Sequence, residues 1–215
     1  MDNYNLLRNA YLSNLNECNI KHCWSSHIHN MLQFLSIDNT KYTLSKSFYT
    51  KFLLKKLKDV FIAAWKNELF SDSRKKDHGN KLCTYRMFKS KFITEAYLIK
   101  CHNVIHRKTL ARFRLSAHNL NIEKLRYIHP RIPPEDRICN HCTHNECEDE
   151  FHFIINCDKY IIIRDKLFKD ILLLYPSFND MDDRTKFKWL CSSIDENIIK
   201  LLGSFISTCF STRNA

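Results

Sequence analysis

The most informative part of this sequence runs from Ile138 to Tyr160 and reads ICNHCTHNECEDEFHFIINCDKY. Within it, Cys139, Cys142, His152 and Cys157 form the pattern C-x2-C-x9-H-x4-C. Three thiols and one imidazole are the ligand types that close a tetrahedral structural zinc site. The segment is too short and too polar to bury a core of its own, so a bound metal would have to stabilise it. The sequence therefore predicts a Zn²⁺ site with these four ligands.

Other residues of the segment leave the ligand set open. Cys147 can replace His152 in a four-cysteine set, and His141 and His144 are further candidates. We favour His152 because the phenylalanines on either side of it can pack and orient its ring. Ten cysteines in 215 residues raise the frequency of chance C-x2-C pairs. The histidine and cysteine that follow so closely make chance a poorer explanation than a metal site.

The composition indicates a mainly α-helical chain. Glycine occurs only twice, against about fifteen expected from average usage. Tight hairpins and glycine-rich phosphate loops are therefore disfavoured. Apolar residues at helical spacing predict one or two short helices in 5–36 and further helices over 48–70, 81–100, 104–117, 160–175 and 196–210. The predicted fold is a helical domain with a small CCHC zinc-stapled segment and trailing C-terminal helices.

Four regions follow from these patterns and from charge. They are an N-terminal helical region (1–80), a basic helical region (81–137), the zinc-binding segment (138–160) and C-terminal helices (161–215). The chain carries a formal charge of +11, and residues 81–137 hold thirteen Lys or Arg against four Asp or Glu, a net charge of +9. A dense basic region is typical of a protein that binds a polyanion.

The basic region supplies all nine predicted nucleic-acid contacts. No Asp or Glu lies between Glu95 and Glu123, and cations recur at helical spacing around Leu110. Such cations would bind phosphates. Stacking of His118 or Tyr127 on a base would add selectivity, although for His118 a structural, hydrogen-bonded role is the favoured interpretation. The predicted contact residues are Arg86, Lys89, Lys91, Arg107, Lys108, Arg112, Arg114, Arg126 and Arg137.

Signs of catalysis are weak in this sequence. Met181-Asp182-Asp183 has the form of a polymerase aspartate turn, but polar residues surround it, and we interpret it as an acidic loop or a helix start. No nucleophile elbow, phosphate loop or H-E-x-x-H motif is present. We therefore expect no enzymatic activity of this chain alone.

The segments around the predicted metal site also suggest a family. They read Leu110–Leu120 (LARFRLSAHNL), Ile122-Glu123, Arg126, Arg137-Ile138-Cys139, Cys142, Glu148–Glu150, His152-Phe153, Cys157, Tyr160 and Arg164. This run resembles the C-terminal region of reverse transcriptases encoded by non-LTR (LINE-like) retrotransposons, whose zinc-binding segment lies downstream of the polymerase thumb. The resemblance covers residues 106–165 and is looser over 81–89 and 186–190.

The resemblance implies several properties. The four ligands would bind zinc, and the helices before them would contact template RNA or target DNA. The parent family is an RNA-directed DNA polymerase, and this chain would be an accessory fragment without the polymerase palm and the endonuclease. A second hypothesis makes the acidic zinc segment a protein-interaction module that docks onto a polymerase core or another protein.

The sequence also bears on location. The polar start, Met1–Asn5, predicts no secretory signal, and no apolar run is long enough to span a membrane. We expect an intracellular protein of the cytoplasm or nucleus with reduced thiols. Neither a membrane partner nor an oligomeric state is predicted.

Overall fold

The structure, a computed structural model, describes residues 9, 24–37, 46–70, 81–82 and 84–214. The chain forms two compact units, Met1–Lys66 and Asn67–Ala215. The described α-helices are α1 (Trp24–Phe34), α2 (Lys46–Phe70), α3 (Ala96–Lys100), α4 (Val104–Arg114), α5 (Asn121–Lys124), α6 (Ile161–Leu174), α7 (Asp183–Ser192) and α8 (Glu196–Asn214). Within the described residues, β-structure is limited to one antiparallel bridge between Ile138 and Cys147. The predicted mainly α fold is confirmed.

The first unit contains α1 and most of α2. Leu32, Leu35 and Ile37 are buried, and Leu53 and Leu57 of α2 pack against them. Apolar residues three and four positions apart lie on one face of a helix, which explains this contact. The predicted helix over 48–70 is confirmed with an earlier start. The part of the predicted 5–36 helices before Trp24 lies outside the described residues, apart from Asn9.

The predicted continuous helix over 81–100 is wrong. The structure has a short 3₁₀ turn at Tyr85–Met87 and the helix α3 only from Ala96. Between them, the buried Lys89 pairs with the half-buried Glu95, and Lys89 Nζ also donates to the Ile93 carbonyl at 2.8 Å. A regular helix would not bring these groups together in this way, so pairing of these charges outweighs the apolar periodicity.

The second unit is built around one core. Phe153, in the predicted zinc segment, lies with its ring centroid 5.7 Å from that of Phe113 in α4 and 6.3 Å from that of Phe205 in α8. All three side chains are buried. The regions 81–137, 138–160 and 161–215 therefore share a hydrophobic core, and the zinc segment is packed into it.

Helix α8 lies against α4 and α6. Its closest approach to α4 is at Gly203, where an added Cβ would lie 2.9 Å from His106 Cβ and 3.2 Å from Leu110 Cδ1. Glycine at this position lets the two helices approach closely. One of the two glycines of the chain is thus explained by helix packing.

The remaining helices match the predictions closely. The predicted 160–175 and 196–210 helices correspond to α6 and α8. Asp182 caps the start of α7, since its Oδ1 accepts a hydrogen bond from the Thr185 backbone at 3.0 Å. Interpreting Met181-Asp182-Asp183 as a helix start is therefore confirmed. Among the described helices, none combines the length and apolar character that a membrane crossing requires.

Candidate metal centre

Two loop elements supply the predicted metal ligands. The first is a hairpin-like loop whose ends are held by backbone hydrogen bonds from Cys139 to Glu146 (2.9 Å) and from Glu148 to Arg137 (2.9 Å). Asn145 turns the chain with φ of 57°, a left-handed conformation that asparagine tolerates better than most residues. This loop places Cys139 and Cys142 on one side of the centre.

The second element is a π-helical turn over His152–Asn156. The Cys157 amide donates to the His152 carbonyl at 2.8 Å, five residues back. A wider π turn brings residues five apart onto the same side, and such turns are frequent at functional sites. The π turn therefore places the side chains of His152 and Cys157 on one side, where they face Cys139 and Cys142.

The four side chains converge on one point. Cys139 Sγ lies 3.8 Å from Cys157 Sγ, and Cys142 Sγ lies 3.4 Å from His152 Nε2. All four ligand atoms are within 4.8 Å of one another. With zinc–sulfur bonds of about 2.3 Å, two sulfurs of a tetrahedral site lie about 3.8 Å apart. The observed separations therefore fit a metal ion at the centre, and all seven described cysteines are free of disulfides.

The environment keeps water away from most of the ligands. Cys139, His152 and Cys157 are buried, and Cys142 is half-buried. Burial raises the pKa of the Cys139 and Cys157 thiols above the ordinary value. Because a metal ligand must be a thiolate, a cation at the centre would have to displace these protons.

Glu146 orients the histidine. Its Oε2 lies 3.0 Å from His152 Nδ1 and also accepts a hydrogen bond from Asn156 Nδ2 at 3.0 Å. A carboxylate on one ring nitrogen holds the proton there and leaves the other nitrogen to bind metal. The hydrogen bonds from Asn156 and His152 lower the pKa of the Glu146 carboxyl. This positioning residue was not predicted, although a carboxylate six residues before the histidine is a readable signal.

The structure also separates the four ligands from the alternatives. Cys147 Sγ donates to the Pro134 carbonyl at 3.1 Å and lies outside the cluster. The His141 ring contacts Lys159 and the His144 ring contacts Asp158. His144 does lie near Glu146 and His152 in a second group of possible ligands, but that group reuses His152.

Two carboxylates of the acidic run 148–150 connect the predicted zinc-binding segment (138–160) to the rest of the second unit. Glu148 is buried and pairs with Arg213 of α8. Glu150, also buried, accepts hydrogen bonds from Thr84 Oγ1 at 2.8 Å and from Ser116 Oγ at 2.6 Å. The acidic surface predicted to dock onto a protein partner is smaller than expected, because the carboxylates of Glu148 and Glu150 are paired or hydrogen-bonded within the chain. Arg213 lies 65 residues from Glu148, and no local sequence pattern indicates this pairing.

Four of the nine predicted nucleic-acid contacts are buried, which corrects their assignment. Lys89 and Arg114 both pair with Glu95. Arg126 pairs with Glu123, while the remaining one, Arg137, donates to the carbonyls of Ile122 and Ile132. Burying a cation is costly unless it is paired or hydrogen-bonded, and each of these four side chains has an ion pair or a hydrogen bond within the protein. These four side chains therefore stabilise the fold, and their charges are not free to bind a phosphate.

The other five predicted nucleic-acid contacts are exposed or half-buried. Lys91, Lys108 and Arg112 are exposed, and Arg86 and Arg107 are half-buried. Arg107 Nη1 and Arg112 Nε donate to the backbone carbonyls of Cys101 and Ala117, respectively. Among the described residues, no carboxylate neutralises either charge.

The position of His118 agrees with the favoured structural role and not with base stacking. Its Nε2 lies 2.9 Å from Glu150 Oε1, and its side chain is buried there. Tyr127 is exposed.

No protein-family model matches this chain, and neither a curated protein sequence nor a solved structure is significantly similar to it.

Proposed function

We propose that this chain is a zinc-stabilised module that binds RNA or DNA, and that it corresponds to the C-terminal accessory part of a non-LTR retrotransposon reverse transcriptase. The role is one of binding, and catalysis belongs to other parts of such a polymerase. The run of residues 106–165 that resembles this family includes all four clustered ligands and helix α4.

Zinc is the metal that the ligand set favours. Three thiolates and an imidazole are soft and borderline donors, which select zinc over magnesium or calcium. Four protein ligands leave no open position for a substrate, as in structural sites. Zinc bound here supplies a crosslink between the hairpin loop and the π turn. The chain's own carboxylates, Glu148 and Glu150, then hold this crosslinked segment against the core.

The observation that carries the proposal is the unneutralised cationic face of α4. Lys108 and Arg112 are exposed, and Arg107 is half-buried. The closest acidic residues in sequence are Glu95 and Glu123, and both are already paired with buried cations. Phosphates attract such a face, and the affinity arises largely from counterion release. Contacts of this kind position a nucleic acid without reading its sequence.

The same proposal gives the chain an intracellular setting, in cytoplasm or nucleus, with RNA or DNA and the polymerase core of its parent protein as partners. Reduced thiols, which metal binding requires, are maintained in these compartments.

The test is binding of the metal-loaded chain to fluorescein-labelled single-stranded RNA and duplex DNA of about 20 nucleotides across a salt series. If Arg107, Lys108 and Arg112 each neutralise a phosphate, the logarithm of the affinity should fall against the logarithm of salt with a slope of about −2 to −3. Replacing all three with glutamate should remove most of the binding.

A matched control changes the net charge equally on other helices. Lys166, Lys169 and Lys188 are exposed residues of α6 and α7. Replacing these three lysines with glutamate should leave a clear, salt-dependent affinity. Equal losses in both triple variants would mean that only net charge matters, and absence of binding by the folded, metal-loaded chain would refute the proposal.

A further inference from the structure

A cavity of about 490 Å³ lies in the second unit, away from the four metal ligands. Its walls come from the segment 88–96, from α3 and from the loop after α7. This volume falls within the roughly 300–1,000 Å³ that is typical of ligand sites in proteins. The nucleic-acid proposal does not use this cavity.

The floor of the cavity is a buried charge cluster. Glu95 pairs there with Lys89 and Arg114. The Arg114 guanidinium is 9% exposed, lies 4.6 Å from the Phe88 ring centroid and lines the cavity. Its Nε–H is buried and has no acceptor among the described residues. A donor left without an acceptor in a buried position is unusual in a folded protein and marks a place where an acceptor would be favourable.

Three isoleucines surround this floor. Ile93, Ile99 and Ile194 are 65%, 66% and 71% exposed, respectively, and all three line the cavity. A single exposed isoleucine needs no explanation, whereas three around one cavity form an apolar patch of the kind found at interaction sites.

The charge at the rim is positive. Lys91 and Lys100 line the cavity, and Lys100 Nζ donates to the Ile194 carbonyl at 2.7 Å. Glu95 is the sole carboxylate among the described lining residues, and the two cations of the floor neutralise it. A ligand therefore meets aliphatic surface with an excess of cations.

We propose that this cavity docks a peptide segment of a protein partner in which Asp or Glu lies beside aliphatic or aromatic side chains. Apolar side chains would cover the isoleucines, and the carboxylate would meet Lys91. This mixture of an apolar centre and a charged rim is typical of protein interfaces. Single-stranded nucleic acids instead use exposed aromatic platforms, whereas the exposed apolar residues that line this cavity are aliphatic.

The experiment selects peptides from a displayed random library against the full, metal-loaded chain. Enriched peptides should combine acidic with aliphatic or aromatic residues. One such peptide, synthesised with fluorescein, is then titrated with the chain, and its counterpart with Gln or Asn at the acidic positions should bind more weakly. Failure to enrich any peptide, or enrichment of basic peptides, would overturn the proposal.

Surface variants locate the bound peptide. Ile99→Ser and Lys91→Glu should each weaken binding about tenfold, since one removes apolar contact and the other reverses the charge. Ile162→Ser is the matched control, because Ile162 is 82% exposed on α6 and outside the cavity, and it should leave the affinity unchanged. Peptide binding that ignores Ile99 and Lys91 would contradict the proposal.

Nucleic acid is the competing occupant. Unlabelled RNA should fail to displace the peptide when Arg107, Lys108 and Arg112 have been replaced with glutamate. If RNA does displace the peptide from that variant, and if adding Lys91→Glu to the variant abolishes this displacement, the cavity holds a phosphate site. That result would overturn the peptide proposal. Loss of RNA binding through α4 alone concerns the proposed function and leaves this docking site intact.

Discussion

Arg213 of α8 binds Glu148 of the acidic run through two hydrogen bonds, one of them from Nη2 to Oε2 at 2.8 Å. The two side chains are 6% and 1% exposed. Glu148 Oε1 also lies 3.8 Å from the Cys139 thiol, and the Glu148 amide closes the hairpin loop. This ion pair therefore connects the surroundings of Cys139, a candidate metal ligand, to helix α8.

Replacement of Arg213 with alanine should destabilise the fold. Breaking a buried ion pair leaves an uncompensated charge and costs about 3–5 kcal/mol. We expect a loss of this size in the free energy of unfolding measured with urea. Lys200→Ala is the control on the same helix, since its pair with Glu196 is exposed, and it should change stability little. Equal effects of the two variants would contradict a structural role for Arg213.

Gly203→Ala should destabilise the packing of α4 against α8. The new methyl group would lie 2.9 Å from His106 Cβ, an atom that cannot move without its helix. Overpacking costs about 1–3 kcal/mol, which exceeds the roughly 1 kcal/mol that alanine gains in helix propensity. Thermal unfolding should show a lower midpoint. Ser204→Ala, at an exposed neighbouring position, should keep or raise the midpoint, and an unchanged Gly203→Ala midpoint would show that the helices can separate freely.

Glu95 should make stability depend on pH. Burial raises the pKa of its carboxyl, but the hydrogen bond from Lys89 and the charge of Arg114 together lower it below the ordinary value of 4.5. A depressed folded-state pKa favours the ionised form, so its contribution to stability is complete above pH 4.5 and is lost as pH falls through the folded-state value.

The measurement compares the free energy of unfolding of the wild type and Glu95→Gln from neutral pH downwards. The variant should be less stable at neutral pH because Lys89 and Arg114 remain buried without their counter-charge. The difference should begin to narrow below pH 4.5, where the carboxyl of the unfolded chain is protonated, and should disappear as pH falls through the lowered folded-state pKa. A difference independent of pH would mean that the ionised carboxylate does not stabilise the fold.

Glu146→Ala should weaken metal binding without removing a ligand. Loss of a carboxylate that orients a ligating histidine typically lowers metal affinity about 10–100-fold. Competition with a chromophoric chelator measures this affinity. Glu135→Ala removes another exposed carboxylate and should leave the affinity unchanged. An unaltered Glu146→Ala affinity would show that His152 is held by packing alone.

Much of the fold follows from local patterns in the sequence. The helices α2, α6 and α8 have clear apolar periodicity, and their positions agree with the prediction. The four ligands could be recognised because a C-x2-C pair and H-x4-C are local spacings that a turn can satisfy. In these cases, short-range sequence information was sufficient.

Long-range pairing of charges was not predictable in the same way. Glu95 pairs with Arg114, nineteen residues away, and α3 begins only at the following residue, Ala96. Glu148 and Arg213 are 65 residues apart. A count of cations cannot show which ones the fold buries. The sequence therefore predicts Arg114 as a nucleic-acid contact, whereas the structure buries its side chain.

The most direct test of the account is the zinc content per chain of the purified protein, measured together with Cys142→Ser and Cys147→Ser. Cys142 belongs to the cluster and Cys147 lies outside it. We expect one zinc per wild-type chain, loss of most of it in Cys142→Ser and retention in Cys147→Ser. A folded wild-type chain without zinc, or loss of zinc in Cys147→Ser but not in Cys142→Ser, would contradict it.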